Sequence, residues 1–327
     1  MLRALRDGLR AVGRNWGLVL LLWAVNLGLA ALLAVPLHAL LGEALREREA
    51  ATAMRDGFDF DWWQAWHDQQ QGWTKAVRPD LEGVGFAYRN LDLLLRGQLP
   101  ARLFDHGEAG AAKPLDPLIG GLGLLFLLLQ AFLAGGVMSV LRRPEGGWKL
   151  RGLLHASGFY FGRMFRLSLL TLLLVGLLFA LNAPFARWAD FQARDAVSES
   201  TALAWALGRR ALLLLALAAL FVLSSYAKAI IVLEERASAL LALVSAAGFC
   251  LRRAGTVIGH GLLLLLAAVL LLRLYGACDA AWVTTGYKTQ LVSFALMQLF
   301  VCGRIALRLS FLAGALALLR AEDGTTA

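Results

Sequence analysis

The stretch CGRIALRLSF, residues 302–311, carries two arginines in an apolar segment that runs from about Leu291 to Leu319. Arg304 and Arg308 are four residues apart, so a helix places both guanidinium groups on one face. A charged residue near the centre of a bilayer costs about 2.5–3.5 kcal/mol on insertion scales, and such residues usually face protein and have partners. A pair of cations at this position therefore requires a counter-charge or a route to water.

Three arrangements could offset the cost of the two arginine charges in the membrane. The first is a structural ion pair with Glu234 or Glu235, the carboxylates nearest in depth, and Arg308–Glu234 is the preferred combination. The second is snorkelling of the long side chains toward the lipid headgroups. The third is a polar cavity that holds a lipid phosphate or another anion, for which planar, bidentate guanidinium groups are well suited. The first and third arrangements are compatible with each other.

Known motifs for catalysis and metal binding are not present in the sequence. The five histidines have no HExxH spacing, and there is neither a GxxxxGK[ST] phosphate loop nor a GxSxG nucleophile motif. Asp61, His67, Asp68 and His106 in the segment 42–116 could in principle assemble a metal site. The simpler interpretation is that these four side chains are solvated in a loop. The three cysteines are isolated, so we expect no disulfide framework. We expect no metal, no cofactor and no enzymatic activity.

The composition predicts a membrane protein. Hydrophobic residues make up 59% of the 327 residues and charged residues 17%, whereas a soluble domain is roughly half apolar and a quarter charged. The apolar residues are gathered in blocks long enough to cross a bilayer, which takes about 20 helical residues, and they do not alternate as barrel strands do. We predict an all-α membrane protein, one polytopic domain over 1–327, with six transmembrane helices at about 16–41, 117–141, 159–183, 210–233, 256–275 and 291–319.

The basic residues predict the orientation. Arg3, Arg6, Arg10 and Arg14 precede the first apolar block, which is too long for the apolar region of a signal peptide, so we expect a retained helix. The short connections LRRPEGGWKLR and CLRR are also strongly basic, and short basic connections stay in the cytoplasm. Six spans then put both termini in the cytoplasm. The net charge of +9 is thus mainly a topology signal, and no aromatic–basic module indicates nucleic-acid binding.

Basic amphipathic stretches, called elbows below, precede the odd-numbered spans. LLHASGFYFGR at 153–163 aligns without gaps to LVSAAGFCLRR at 243–253, and LRALRDGLRAVGR serves as the first elbow. The even-numbered spans also resemble one another, with FLAG at 132–135, FVLS at 221–224 and FLAG at 311–314. Self-similarity at a fixed period indicates a repeated unit. We predict three repeats of an elbow followed by a helical hairpin.

The segment 42–116 is predicted to be the one long extracytoplasmic loop. It contains GFDFDWWQAWHDQQQGW, in which Trp62, Trp63, Trp66 and Trp73 are interleaved with acidic residues. Helical spacing puts Trp62, Trp66 and Trp73 near one face. Because tryptophan favours the membrane–water interface, the first interpretation is a helix that lies on the outer leaflet. The second is an aromatic surface that binds a ligand or a partner.

The elbows, the FLAGG sequence of the second span and KAIIVLEERASALLALVSAAGF at 228–249 resemble a broad, largely uncharacterised group of bacterial six-helix membrane proteins. The layout is similar to the membrane domain that accompanies some glycerophosphodiester phosphodiesterases. The resemblance implies the membrane fold and the bacterial cytoplasmic (inner) membrane. It does not extend to the hydrolase domain with its acidic and histidine metal ligands, so it implies no phosphodiesterase activity.

The sequence leaves two functions open. The first is a membrane scaffold or accessory protein, surrounded by membrane lipids, that binds a protein partner through 42–116 or through the basic elbows. The second is a carrier or binding protein for a lipid or an anionic small molecule, which uses Arg304 and Arg308. An intramembrane enzyme ranks third, because the sequence contains no visible nucleophile–base pair or metal set.

Overall fold

The computed structural model describes residues 2–46, 59–76, 117–143, 147–196, 198–281 and 287–323, and these ranges are helical and contain no strand. A short 3-10 helix spans Gly72–Ala76. The α-helices in chain order are α1 (Leu2–Arg14), α2 (Trp16–Ala44), α3 (Phe60–Gln69), α4 (Pro117–Arg142), α5 (Leu150–Arg194), α6 (Glu199–Leu233), α7 (Ala239–Arg252), α8 (Ala254–Ala280) and α9 (Tyr287–Asp323).

Six of these helices, α2, α4, α5, α6, α8 and α9, are long and apolar enough to cross a membrane. Each of them contains one of the predicted apolar blocks, so the prediction of an all-α, multi-pass membrane protein with six candidate spans is confirmed. Leucine- and alanine-rich segments form helices in a membrane because a helix pairs its own backbone N–H and C=O groups. Hydrocarbon offers these groups no hydrogen-bond partner. Below, the end of the bundle with α1 and α7 is called the elbow end, and the end where α2 stops and α4 starts is called the loop end.

The third span is longer than its apolar block indicates. The predicted span is 159–183, whereas α5 is a single helix of 45 residues that also includes the predicted elbow 153–163. At 1.5 Å per residue this helix is about 68 Å long, twice the hydrocarbon thickness of about 30 Å. The other two elbows are separate helices, because Asn15 interrupts the chain between α1 and α2 and Arg253 does so between α7 and α8.

The second, fourth and sixth spans form the centre of the bundle. Helices α4, α6 and α9 pack on one another pairwise. The buried share of the most apolar stretch is 33% in α4, 44% in α6 and 50% in α9, against 11% in α2, 11% in α5 and 17% in α8. Of the three hairpins, α5/α6 and α8/α9 are closely packed, whereas α2 packs on α9 and only slightly on α4. The hairpin α2/α4 is therefore the loosest part of the bundle.

Each elbow packs on one of the central spans. Helix α1 packs on α9, the first part of α5 on α4, and α7 on α6. Glycine allows two of these contacts: a Cβ added at Gly8 would clash with the carbonyl oxygen of Ser310, and one at Gly136 would lie 2.6 Å from the carbonyl oxygen of Leu153. Helices in lipid associate through such close packing of small residues. The elbows are therefore tied to the core of the bundle.

Replacing Gly8 with alanine should destabilise the protein. The added Cβ meets backbone atoms of Ser310, which cannot move unless α1 separates from α9. Overpacking of this kind typically costs about 1–3 kcal/mol, so we expect a lower midpoint in thermal unfolding of the detergent-solubilised protein. Gly13→Ala is the matched control in the same helix, since no described atom lies within 4 Å of its added Cβ. Equal midpoints for the two variants would contradict the close α1–α9 contact.

Candidate anion-binding site

The two acidic residues predicted to neutralise the arginines lie just past the end of α6. Glu234 is the C-cap residue, and its carboxylate pairs with Arg236. The Glu235 carboxylate lies 3.5 Å from Nη1 of Arg142 on α4. The same Nη1 donates to a carbonyl oxygen in the last turn of α6 at 2.9 Å, and Arg163 Nη1 donates to the Glu235 carbonyl oxygen at 2.9 Å. These arginines satisfy carbonyl groups that the end of a helix leaves unpaired.

Arg308 does not pair with Glu234, the combination preferred from the sequence. No carboxylate in the described ranges forms an ion pair with Arg308. The physical reason is depth: the residue of α6 that shares a cavity with Arg308 is Lys228, six residues before Glu234. Six helical residues correspond to about 9 Å along the axis. Glu234 is therefore too close to the elbow end to reach Arg308.

Arg308 instead lines a cavity between α2, α4, α6 and α9. The cavity has a volume of about 90 Å³. Roughly 10–15 Å³ of this kind of space holds one water molecule, so several waters or one small polar group fit. Most of the wall is apolar and includes Leu29, Phe126 and Leu133. The polar side chains in the wall are Asn26, Gln130, Lys228 and Arg308.

Lys228 is a site residue that the sequence reasoning does not identify. By sequence it belongs with the basic residues of the elbow end, whereas the structure places it half-buried in the cavity wall, five residues before α6 ends at Leu233. The sequence does contain a signal, because Lys228 is the only charged residue between Arg210 and Glu234. A lone charge inside an apolar run is expensive in a membrane and is by default a functional candidate.

The cavity concentrates positive charge. Lys228 and Arg308 are close enough to repel each other, and Arg304, one helical turn from Arg308, adds to the repulsion. Neither Lys228 nor Arg308 has an ion-pair partner in the parts of the chain that the structure describes. Unpaired charges among apolar groups are costly, and water or a counter-ion must offset that cost. The positive charges of Lys228 and Arg308 would therefore both stabilise an anion in the cavity.

Gln130 and Asn26 add hydrogen-bonding capacity to the cavity. Asn26 Nδ2 donates to the Leu22 carbonyl oxygen of its own helix at 2.9 Å. Gln130 makes no hydrogen bond to another described residue, so its amide is available to a ligand. Arg304 is not part of the cavity wall; its guanidinium carbon lies 5.8 Å from the centre of the Phe300 ring, and both arginines are exposed residues. Of the two predicted arginines, only Arg308 therefore lines the cavity.

The tryptophans of the predicted outer loop form a small cluster in 59–76. Trp63 and Trp66 are buried, with 7% and 9% of their surface exposed, and their ring centres are 5.1 Å apart. Trp62 stacks on Trp66 at 6.1 Å. Trp73 lies beyond the end of α3, so helical spacing does not extend to it. Trp63 rather than Trp73 therefore packs with Trp66, and the binding surface predicted for this loop stays a prediction, because most of 42–116 lies outside the described residues.

The remaining nucleophiles and metal-ligand types lie apart from the cavity wall. Cys250, Cys278 and Cys302 are free thiols, and burial raises the pKa of the Cys250 thiol on α7, which disfavours the reactive thiolate. His260 is buried; its Nε2 donates to the Phe311 carbonyl oxygen at 3.4 Å. No group of three or more His, Cys, Asp or Glu suited to a metal ion occurs in the described ranges, and His106 lies outside them.

No family model, curated protein or solved structure matches the chain. The resemblance in layout to the membrane domain of glycerophosphodiester phosphodiesterases therefore stays a prediction. The cavity and its charges are the basis on which a function is proposed.

Proposed function

We propose that this protein is a membrane carrier or binding protein for an anionic group, which it holds in the cavity between α2, α4, α6 and α9. One observation carries the proposal: Lys228 and Arg308 share an apolar-walled cavity without an acid partner among the described residues. An anion in the cavity supplies the missing counter-charge. Its binding relieves the repulsion between the two cations, a gain that a neutral ligand does not provide.

The chemistry of the wall suits an oxyanion such as a phosphate or a carboxylate. The guanidinium group of Arg308 is planar and donates two parallel hydrogen bonds to such a group, and the Lys228 ammonium is a compact charge with three donors. Charge-assisted hydrogen bonds of this kind are roughly twice as strong as neutral ones. The amide of Gln130 adds a neutral donor, so three side chains of the wall offer hydrogen-bond donors to an anion in the cavity.

A scaffold or accessory role through 42–116 or the elbows remains the alternative. It agrees with the resemblance in layout to the membrane domain that accompanies some glycerophosphodiester phosphodiesterases. The charged cavity favours the binding role, because a scaffold does not require two cations without an acid partner in the wall of one mostly apolar cavity.

We further propose that the fold consists of three repeats of an elbow and a hairpin. The support is the recurring contact: α1 packs on α9, the first part of α5 on α4, and α7 on α6. Two of these contacts have the same geometry, in which a carbonyl oxygen of the elbow faces a glycine of the span. In the α1–α9 contact these groups belong to Ala4 and Gly314, and in the α5–α4 contact they belong to Leu153 and Gly136. In this scheme, the first elbow closes the ring by packing on the last span.

The elbow end faces the cytoplasm of a bacterial cell in this proposal, and both termini lie there. The support is the positive-inside rule, by which short cytoplasmic connections carry an excess of lysine and arginine. The exposed basic residues at this end include Arg14, Arg143, Lys149, Arg151 and Arg252.

The orientation is testable by cysteine labelling in spheroplasts. In a background in which the native cysteines are alanine, Asp195→Cys places a thiol at the loop end and Arg143→Cys one at the elbow end; both positions are exposed. A membrane-impermeant maleimide should label Asp195→Cys in intact spheroplasts and Arg143→Cys only after lysis. The reverse pattern would show that the elbow end faces outward.

Charge removal tests the binding role. We expect native mass spectrometry of the detergent-extracted protein to detect a co-purifying anion, and Lys228→Gln or Arg308→Gln to lower its occupancy at least about tenfold. The reason is the loss of a charge-assisted hydrogen bond, worth about 1.5–3 kcal/mol. Arg273→Gln is the matched control, because Arg273 is an exposed arginine on the apolar span α8 and is not in the cavity wall.

Thermal unfolding separates this role from a structural one. Without ligand, the two glutamine variants should be as stable as the unaltered protein or more stable, because the repulsion is gone. Lower stability together with unchanged anion occupancy would mean that the cations serve the fold and not a ligand.

A further inference from the structure

We infer that the bound anion is the phosphate of an anionic phospholipid, whose acyl chains lie in the apolar gap between the loop-end halves of α2 and α4. This inference rests on the proposed function and adds the class of ligand. The position of the cavity, its lateral opening and the charges of its wall carry it.

The cavity lies at a depth that free anions in water do not readily reach. At the elbow end, α9 reaches Arg320, α2 starts at Trp16 and α6 ends at Leu233; along these helices Arg308 lies 12 residues from Arg320, Asn26 lies 10 residues from Trp16, and Lys228 lies five residues from Leu233. These separations correspond to about 18 Å, about 15 Å and about 8 Å along the helices, so the cavity reaches from the outer part of the hydrocarbon core to about the middle of its thickness of about 30 Å. A lipid brings its phosphate to this depth with apolar chains that remain among apolar groups.

The cavity also opens sideways, between α2 and α4. The two helices barely touch, and no described atom lies within 4 Å of a Cβ added at Gly121 or Gly123. Phe126 is part of the cavity wall and is also 46% exposed on the outer surface. Leu124 beside it and Leu32 on α2 are 57% and 50% exposed. Apolar surface therefore continues from the cavity to the lipid-facing side of the bundle.

The charges of the wall select the headgroup. Two cations and two amides line the cavity, and no carboxylate is among the described residues of the wall. A choline or ethanolamine headgroup brings an ammonium group that would find no counter-charge there and would add to the repulsion. A phosphate without an attached cation, as in phosphatidate, is the group that the wall neutralises.

Three probes test the inference on delipidated protein in dodecyl maltoside. Dioleoyl phosphatidate carries the charge and the chains, dioleoyl phosphatidylcholine has a zwitterionic headgroup, and glycerol 3-phosphate has the headgroup without chains. In native mass spectrometry at equal concentrations, we expect phosphatidate occupancy to exceed that of either other probe at least about tenfold, equivalent to about 1.4 kcal/mol. The double variant Lys228→Gln/Arg308→Gln should lose this preference, and Arg273→Gln should keep it.

The outcomes distinguish the inference from the function on which it rests. If glycerol 3-phosphate binds the unaltered protein as tightly as phosphatidate and the double variant loses both, the lipid inference is overturned and the anion-binding function stands. If the unaltered protein and the double variant bind all three probes alike, both are overturned. The comparison of phosphatidate with glycerol 3-phosphate uses only the unaltered protein, so it holds even if a variant folds poorly.

A second pair of variants tests where the chains lie. Phe126→Asn puts an amide in the apolar path between α2 and α4, and Phe294→Asn puts one on α9 outside the cavity wall; the two phenylalanines are 46% and 52% exposed. Phe126→Asn should reduce phosphatidate occupancy several-fold, and Phe294→Asn should leave it unchanged. Equal effects of the two substitutions would overturn the proposed location of the chains.

Discussion

Close approach of small residues is the contact on which this bundle depends. Apolar side chains gain little by exchanging lipid for another helix, so spans associate where backbones pack tightly. Gly8 on α1 and Gly136 on α4 meet carbonyl groups of the helices that they cross. These contacts tie the elbows to the central spans, and α4, α6 and α9 are the more buried spans while α2, α5 and α8 are the more exposed ones. Glycine thus permits the close contacts of α1 with α9 and of α5 with α4.

The cavity is a consequence of the same constraint. Helix α2 has few contacts with α4, the helix that follows it in the hairpin after the long segment 42–116. It packs mainly on α9. Space remains where these helices meet α6, and Lys228, Arg308 and Gln130 line it. Two cations are tolerable there only with a counter-charge, since hydrocarbon offers none. Packing therefore fixes where the cavity lies, and its charges are the basis for the anion proposed as its ligand.

The sequence predicts what depends on one helix at a time. Apolar length identifies all six spans, because each helix satisfies its own backbone in hydrocarbon. The length of an apolar segment does not predict how two helices are placed relative to each other. The depth of Glu234 relative to Arg308, for example, depends on the axial offset between α6 and α9. Lys228 was detectable as a lone charge in an apolar run. The continuity of α5 through its elbow was not detectable: the elbow α1 ends before Asn15, whose side-chain amide donates to the Ala11 carbonyl oxygen of α1, whereas the elbow of α5 continues into the span.

The central claim is that Lys228 and Arg308 bind an anionic ligand, which supplies the counter-charge that the protein does not provide in this cavity. Gln130→Glu tests it most directly, because this nearly isosteric change puts a carboxylate into the wall of the same cavity. The measurement is the thermal midpoint of the delipidated protein, with phosphatidate occupancy by native mass spectrometry. The account predicts a higher midpoint and at least about tenfold lower occupancy, because the internal carboxylate takes the place of the ligand. A lower midpoint with unchanged phosphatidate binding would contradict it.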